Sequence, residues 1–407
     1  MPTANGRFNV GGVLLNQPFK IRRLGHFGFN LVAMDEGVPF YRDLLGFRVS
    51  DVMDYSRRAK DPAQLAGLGD PNGYFTRYGT DHHAMVLFPK RVREALGRHD
   101  KPGVTINQIT WQVGSLNEVG SAIRWFTERG IKQQRSGRDM PGSNWHTYLF
   151  DPDGHSNELY YGIEQIGWTG HSKPRVMYDR GFDEPPSLPQ ISEQQEVQEA
   201  LAKNVDLISG YRHVERLRAT FDVDGILLPR PFKIVRLGPV YLFMQNLAQA
   251  EAFYRDILGF TLTEEVTWQG QRCVFMRANT EHHSLALFPL ALREVLGLSP
   301  HSSCAALGLQ LANYRQLRDA VKFLKDHGVK VSEALPLELH PGIDYAANVF
   351  DPDGHCIQLY HAMEQIGWEN KPRPKELRQP RKLSEWPEVL ESDANSYLGE
   401  PYLGPWG

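Results

Sequence analysis

Three cysteines stand among 407 residues, Cys273, Cys304 and Cys356, and none forms a CxxC pair. That excludes a thiolate metal knot and argues against a disulfide framework. No apolar run approaches the roughly 20 residues of a membrane span. Neither sign of charge dominates: 45 Lys and Arg against 48 Asp and Glu leave a net charge of −3. Bulk electrostatics therefore gives no pull toward nucleic acid or an anionic membrane, and neither is expected as a partner. P-loop, GxGxxG, GxSxG and zinc-finger patterns are missing, which removes those chemistries. The opening MPTANGRFNVGG has no apolar h-region, so no secretory signal is expected and a reducing, cytoplasmic setting is the default. What is present is ordinary globular material, 41% hydrophobic and 23% charged, long enough for two or three cores.

The chain repeats itself. FNVGGVLLNQPFKIRRLG (8–25) returns as FDVDGILLPRPFKIVRLG (221–238), and PFYRDLLGF (39–47) as AFYRDILGF (252–260). HHAMVLFP (82–89) returns as HHSLALFP (282–289), FDPDGHSNELYY (150–161) as FDPDGHCIQLYH (350–361), and EQIGW (164–168) as EQIGW (364–368). Fixed self-similarity of this kind means tandem copies of one fold. Each copy divides again. A strand at 21–33 precedes helical spacing at 36–45 that ends at Gly46, then short strands near 47–54, 72–78 and 83–88. The pattern restarts with a strand at 106–113, a helix at 116–129 ended by Gly130, and strands near 131–135, 145–150 and 156–161. DPDG is turn chemistry joining the last two strands as a hairpin. The reading is an α+β protein of four βαβββ modules: an N-terminal domain at 1–168, a linker with a surface helix (192–204) at 169–220, a C-terminal domain at 221–368, and a tail at 369–407 that straps across the body.

LGHFGFNL, FYRDLLGF, HHAMVLFP, TWQVGSLNEVG and YLFDPDGHSNELYYG resemble the vicinal oxygen chelate superfamily, and within it the type I extradiol ring-cleavage dioxygenases of the catechol 2,3-dioxygenase kind. The resemblance covers roughly residues 21–165 and 234–365. It implies paired modules that form a cupped sheet around a metal. The family's ligands are a His on the first strand of one module, a His on the first strand of the next, and a Glu on the last strand. These positions fall on His26, Gln108 and Glu158. In the C-terminal copy they fall on Pro239, Ala306 and Gln358, which cannot hold a divalent ion. The metal is therefore expected in the N-terminal copy, the reverse of the usual two-domain members.

Imidazole and carboxylate ligands with open positions suit non-haem Fe(II), two vicinal substrate oxygens and O2. Gln108 in place of His is a neutral, harder ligand, so Mn(II) and Zn(II) stand beside Fe(II). The alternative third ligand is His83. By the same resemblance, His83 matches the family's acid–base His, and Tyr148 its substrate-binding Tyr. His146 lies two residues before Tyr148, on the same strand face, and is a candidate proton relay; the family's own loop His falls on Asp139. Bland readings stand beside each. His26 is a satisfied core His; Glu158 pairs with an Arg such as Arg23; Gln108 is structural; Tyr148 is a core aromatic; His83 is structural, since His282 and His283 persist in the copy without ligands. Trp111 and Trp145 either wall an aromatic pocket or pack in the core, and Arg135 and Arg138, on the loop before His146, either face an anionic substrate or are ordinary exposed loop residues. The expected function is a metal-dependent dioxygenase that cleaves a catechol-like aromatic with O2, in a homo-oligomer. The alternatives are a glyoxalase-like isomerase or lyase, and a non-catalytic binding protein on the same fold.

Overall fold

The computed structural model describes residues 6–99, 101–178, 184–223, 225–366 and 369–390. Residues 391–407 of the proposed tail and the end of the second EQIGW repeat lie outside the described residues.

The first copy opens with a two-stranded hairpin, β1 (Phe8–Val10) and β2 (Val13–Leu15). There follow β3 (Ile21–Leu31), α1 (Met34–Pro39), β4 (Arg48–Asp54), β5 (Asn72–Arg77), β6 (Met85–Pro89) and α2 (Lys90–Ala95). The second module is β7 (Ile106–Val113), α3 (Leu116–Glu128), β8 (Gln133–Arg138), β9 (Trp145–Phe150) and β10 (Ser156–Tyr161). A connecting helix, α4 (Glu193–Ala202), leads to the second copy. That copy runs β11 (Phe221–Val223), β12 (Ile226–Leu228), β13 (Ile234–Met244), α5 (Leu247–Ala252), β14 (Thr261–Trp268), β15 (Gln271–Arg277), β16 (Leu285–Pro289) and α6 (Leu292–Leu296). It closes with β17 (Cys304–Leu311), α7 (Tyr314–Asp326), β18 (Val331–Ser332), β19 (Ala346–Phe350) and β20 (Cys356–Tyr360).

Each copy builds one eight-stranded sheet in the order β4-β5-β6-β3-β7-β10-β9-β8, or β14-β15-β16-β13-β17-β20-β19-β18. The first strands of the two modules meet antiparallel at the centre, β3 with β7, and each is flanked by its module's last strand running parallel, β6 and β10. That arrangement collects side chains from β3, β7 and β10 on one face. The other face packs on helices. In α3, Ser115 caps the first turn by accepting from the Glu118 N–H at 3.2 Å, and Val119, Ala122, Trp125 and Phe126 form the buried stripe. Burying each of the larger side chains contributes about 1.5–3 kcal/mol. After α1 the chain widens into a π-helical turn at Phe40–Leu44 and stops at Gly46, whose φ of +87° favours glycine. Arg135 and Arg138 sit on β8, not on a loop. Arg138 is buried and paired with Glu196 at 3.1 Å, which corrects its reading as an exposed loop residue.

The DPDGH turns do more than join strands: they clasp the copies together. Asp151 Oδ2 accepts from His155 Nδ1 at 2.7 Å and from the Tyr254 hydroxyl of the other copy at 2.9 Å, while His155 Nε2 meets Ser303 Oγ at 2.8 Å. The reciprocal set is Asp351 with His355 Nδ1 (2.9 Å) and Tyr41 (3.0 Å), and His355 Nε2 with Thr105 Oγ1 (2.7 Å). The Asp353 carboxylate also accepts from the N–H groups of Val32 (2.6 Å) and Ala33 (2.9 Å), satisfying the start of α1, where Ala33 has no capping side chain. The segment after each copy straps back onto it in the same way. The Lys173 and Arg373 N–H groups donate to Glu164 and Glu364 respectively. Among the described residues no helix is long and apolar enough to cross a membrane.

Candidate metal centre

His26 lies on β3, Gln108 and Thr110 on β7, and Glu158 on β10. The register sets His26 opposite Thr110, Gly28 opposite Gln108, and Thr110 beside Glu158. Strand alternation therefore turns all four toward the cupped face. Glu158 is wholly buried. Its Oε2 lies 3.1 Å from His26 Nε2, and it accepts from Thr110 Oγ1 at 2.8 Å and Gln108 Nε2 at 3.3 Å; Oε1 accepts from Asn144 Nδ2 at 2.8 Å. Burial alone would raise the Glu158 pKa. His26, His146 and the hydrogen bonds outweigh it and hold the group at about 2. Arg23, the suggested bland partner, is engaged elsewhere, with Asp81 at 2.8 Å and Gln112 at 2.5 Å.

Beside this lies a second cluster. Asp139 Oδ2 accepts from the Tyr148 hydroxyl at 2.9 Å and lies 3.3 Å from His146 Nδ1, while Oδ1 pairs with Arg135 at 2.7 Å. The Arg135 guanidinium stacks 4.5 Å over the Tyr148 ring. His146 and Tyr148 share a face as alternation requires, their rings 4.8 Å apart. Burial, then Asp139 and Glu158, push the Tyr148 hydroxyl well above its ordinary range, so it remains a donor. One ligand atom from each of Asp139, His146 and Glu158 lies within 4.8 Å of the others. The His83 ring stands 4.4 Å from that of His26, and burial, then His26 and His82, push its pKa well below normal, so it is a neutral imidazole.

These donors fit a divalent cation. Imidazole nitrogen and carboxylate oxygen bind such ions at about 2.0–2.2 Å, so neighbouring ligand atoms at right angles stand roughly 3 Å apart. The His26–Glu158 spacing of 3.1 Å matches. Three buried polar atoms around the pair, His26 Nδ1, Asn144 Oδ1 and His146 Nε2, find no partner among the described residues. Buried polar atoms without a partner call for an ion or a water.

A family model described as the Glyoxalase/Bleomycin resistance protein/Dioxygenase superfamily matches residues 23–159 and 236–359. The chain belongs to this superfamily. Among curated superfamily relatives, it is 31% identical over 159 residues to Metapyrocatechase 2 of Cupriavidus necator, covering 38% of this chain and 42% of that protein. It is 25% identical over 164 residues to 2,2',3-trihydroxybiphenyl dioxygenase of Sphingomonas paucimobilis, covering 39% and 54%. The chain thus spans about half the length of the curated relatives it matches. A crystal structure of catechol 2,3-dioxygenase shares the fold, with a TM-score of 0.51 at 17% identity over 89% of this chain and 92% of that one.

The second copy keeps this superfamily fold without the donors. Tyr241 takes the place of Gly28: it stands opposite Ala306 as Gly28 stands opposite Gln108. Its hydroxyl lies 2.8 Å from Gln358 Oε1 and 2.9 Å from His283 Nε2. At Gly28 a Cβ would meet Val86 Cγ2 at 2.5 Å, so the first copy has no room for that ring.

Of the residues singled out from the sequence, His26, Gln108, Glu158, His83, His146 and Tyr148 gather here. Trp111 does not. It points to the opposite face, packs on Phe260 at 4.9 Å and donates to Asn157 at 2.9 Å, which makes it core and not a pocket wall. Thr110 and Asn144 were missed. Thr110 was legible as the next residue on the Gln108 face. Asn144 had no local signal, because it reaches Glu158 only through the folding of the 139–144 loop.

Proposed function

We propose that the chain is a metal-dependent extradiol-type dioxygenase, cleaving a catechol-like aromatic with O2 at the site of the first copy. The observation that carries this reading is Glu158, a buried carboxylate held ionised beside an imidazole, with hydroxyl and amide groups as its other partners among the described residues. A buried charge of that kind calls for a cation. His26, Glu158 and Gln108, its amide turned so that oxygen faces inward, would hold the ion, with His83 as the alternative third ligand; Fe(II) is the first choice and Mn(II) or Zn(II) follow. When bound, Fe(II) supplies the electron conduit between an oxygenated ring and O2, with open positions for both.

The chain's own residues do the rest. Neutral His83 takes a proton from a substrate hydroxyl. Tyr148, kept protonated with its hydrogen on Asp139, accepts a hydrogen bond from a substrate hydroxyl. Asp139 holds Tyr148 and His146 in register, and His146 Nε2, with no hydrogen-bond partner among the described residues, is free to receive or return a proton. Three free, buried cysteines suit the reducing, cytoplasmic setting of this reading, and assembly as a homo-oligomer goes with it. The test is oxygen uptake with a panel of catechols after anaerobic loading with Fe(II). Uptake with a yellow ring-fission product is expected. Turnover under strict anaerobiosis with Zn(II) would favour the isomerase or lyase alternative instead, and no cation uptake would leave only a binding protein.

A further inference from the structure

We propose that Arg93 is a specificity-determining residue of the first copy, and that with Asn30 it holds a carboxylate carried on a side chain of the substrate's ring. The use of that subsite in ring cleavage rests on the oxygenase reading; the affinity of Arg93 for an aryl carboxylate does not.

The cupped face continues past the candidate metal centre along β3. His26, Gly28 and Asn30 alternate onto it, and the register sets Gly28 beside Val86 and Asn30 beside Phe88. Asn30 lies four residues beyond His26, roughly 13 Å of strand. Arg93, half-buried on α2, closes this end. Its guanidinium lies 5.4 Å over the Phe88 ring, and Nη1 donates to the Asn30 side-chain oxygen. The Asn107 amide lies against the same group. Its Nδ2 donates to Asn30 Oδ1 at 3.0 Å or, with the amide turned over, its oxygen accepts from Arg93 Nη2 at 3.3 Å. In either orientation the guanidinium meets only neutral amides and a ring. Its Nε is buried with no hydrogen-bond partner among the described residues.

A guanidinium stays charged throughout the ordinary pH range. The other arginines named around the site are each matched by a carboxylate: Arg23 by Asp81, Arg135 by Asp139, Arg138 by Glu196. Arg93 has no such match among the described residues, and its neighbour Glu94 pairs with Lys90. A half-buried cation with no counter-charge and an unengaged N–H calls for an anion from outside the protein. A carboxylate answers the planar fork best, because it takes two of its N–H groups at once. A ring held by its vicinal oxygens near His26 and Glu158 reaches Arg93 only by spanning part of the β3 row. The charge therefore belongs on a side chain remote from the two hydroxyls.

The second copy keeps the arginine and loses the subsite. Arg293 stands at the matching place on α6, but Phe243, set beside Phe288 as Asn30 is beside Phe88, replaces one amide, and Ala305 replaces Asn107. The Phe243 and Phe288 rings, 6.3 Å apart, fill that end of the row. Arg293 Nη1 instead reaches the other copy, 3.9 Å from where a Cβ on Gly103 would stand. The amides that hold the guanidinium over the cup thus go with the open site and are absent from the closed one.

The test compares dihydrocaffeate, a catechol with a propionate side chain, with its neutral amide. Both are titrated anaerobically into the Fe(II)-loaded protein, so affinity is read without turnover. Wild type is expected to bind the acid about 10–100-fold more tightly than the amide, the range for a hydrogen bond to a charged group. Arg93→Gln is expected to abolish that preference and leave the affinity for the amide unchanged, and Arg93→Lys to keep part of it. A second measurement needs neither cation nor hydroxyls. Hydrocinnamate, the same acid without them, is expected to shift the Arg93 Nε–H signal in the ¹H–¹⁵N spectrum of the cation-free protein, a signal identified by its loss in Arg93→Lys. Equal affinity of wild type for acid and amide, an equal loss for both ligands in Arg93→Gln, or an unmoved Nε–H signal overturns the proposal. A shifted signal in a protein that binds neither catechol overturns only the oxygenase reading.

Discussion

The two copies set an unplanned experiment side by side. They share strand order, register and helix positions, yet one gathers a buried carboxylate, an imidazole and an amide where the other gathers neutral groups. Around the centre, Gly28, Val86, Asn107 and Gln108 in the first copy face Tyr241, Ala286, Ala305 and Ala306 in the second. One large ring with three small neighbours replaces no side chain with three medium ones, so the space stays filled, and a volume-conserving exchange of this kind is what a core tolerates best. The fold is therefore carried by the helix-facing side of each sheet and by the clasp between copies. The cupped side is free to hold a charged site or to close it with a hydrogen-bonded phenol.

Substitutions that exchange the copies' roles sharpen that contrast. The largest effect is expected from Glu158→Gln, which writes the second copy's Gln358 into the first. Oxygen uptake with catechol should fall below detection while circular dichroism shows an intact fold. Next, His83→Ala should lower kcat by about 10²–10⁴-fold, the range for removing a general acid or base. His283→Ala, at the matching place in the closed copy, should leave kcat unchanged, and a comparable loss from both would assign the histidine pair a purely structural role. Asn144→Ala removes a group that orients Glu158 and should weaken cation affinity by about 10–100-fold, read by titration against a competing chelator.

The smallest effect concerns the clasp. Asp151 is buried; desolvation would raise its pKa, but His155, backbone N–H and Tyr254 lower it below the ordinary carboxylate value. A depressed folded pKa contributes stability that is present above the unfolded value and is lost as pH falls through the folded one. Asp151→Asn should thus cost roughly 1–3 kcal/mol at neutral pH by urea unfolding, the scale for a buried charged hydrogen-bond partner. The difference from wild type should shrink in strong acid. A constant difference across that range would show that the carboxylate's charge plays no part in the clasp.

Much of this was legible in the residues. Repetition gave the tandem copies and the modules, because a conserved core face leaves a period in the chain. Alternation put His146 and Tyr148 on one face, and the matched positions of His26 and Glu158 survived as a 3.1 Å pair. Long-range consequences were not legible. The DPDGH aspartates read as turn formers, and their grip on Tyr254, Tyr41 and the start of α1 exists only once both copies are folded. Asp139 and Asn144 reach the site through a loop whose course depends on Ser143 at φ +58°, a conformation that sequence pattern does not announce. Short α2, six residues with no clear apolar stripe, and the small hairpins β1–β2 and β11–β12 gave too little periodicity to read. The exchange of Gly28 for Tyr241 stood in plain sight in LGHFGF and LGPVYL, yet its meaning needed the register.

The most direct measurement is cation stoichiometry per chain with its position, by elemental analysis and anomalous diffraction on anaerobically reconstituted crystals. The account predicts one divalent ion, lying between His26 and Glu158, lost in Glu158→Gln and kept in Gln358→Ala. An ion seated in the second copy instead, or no ion bound at any loading, would contradict it.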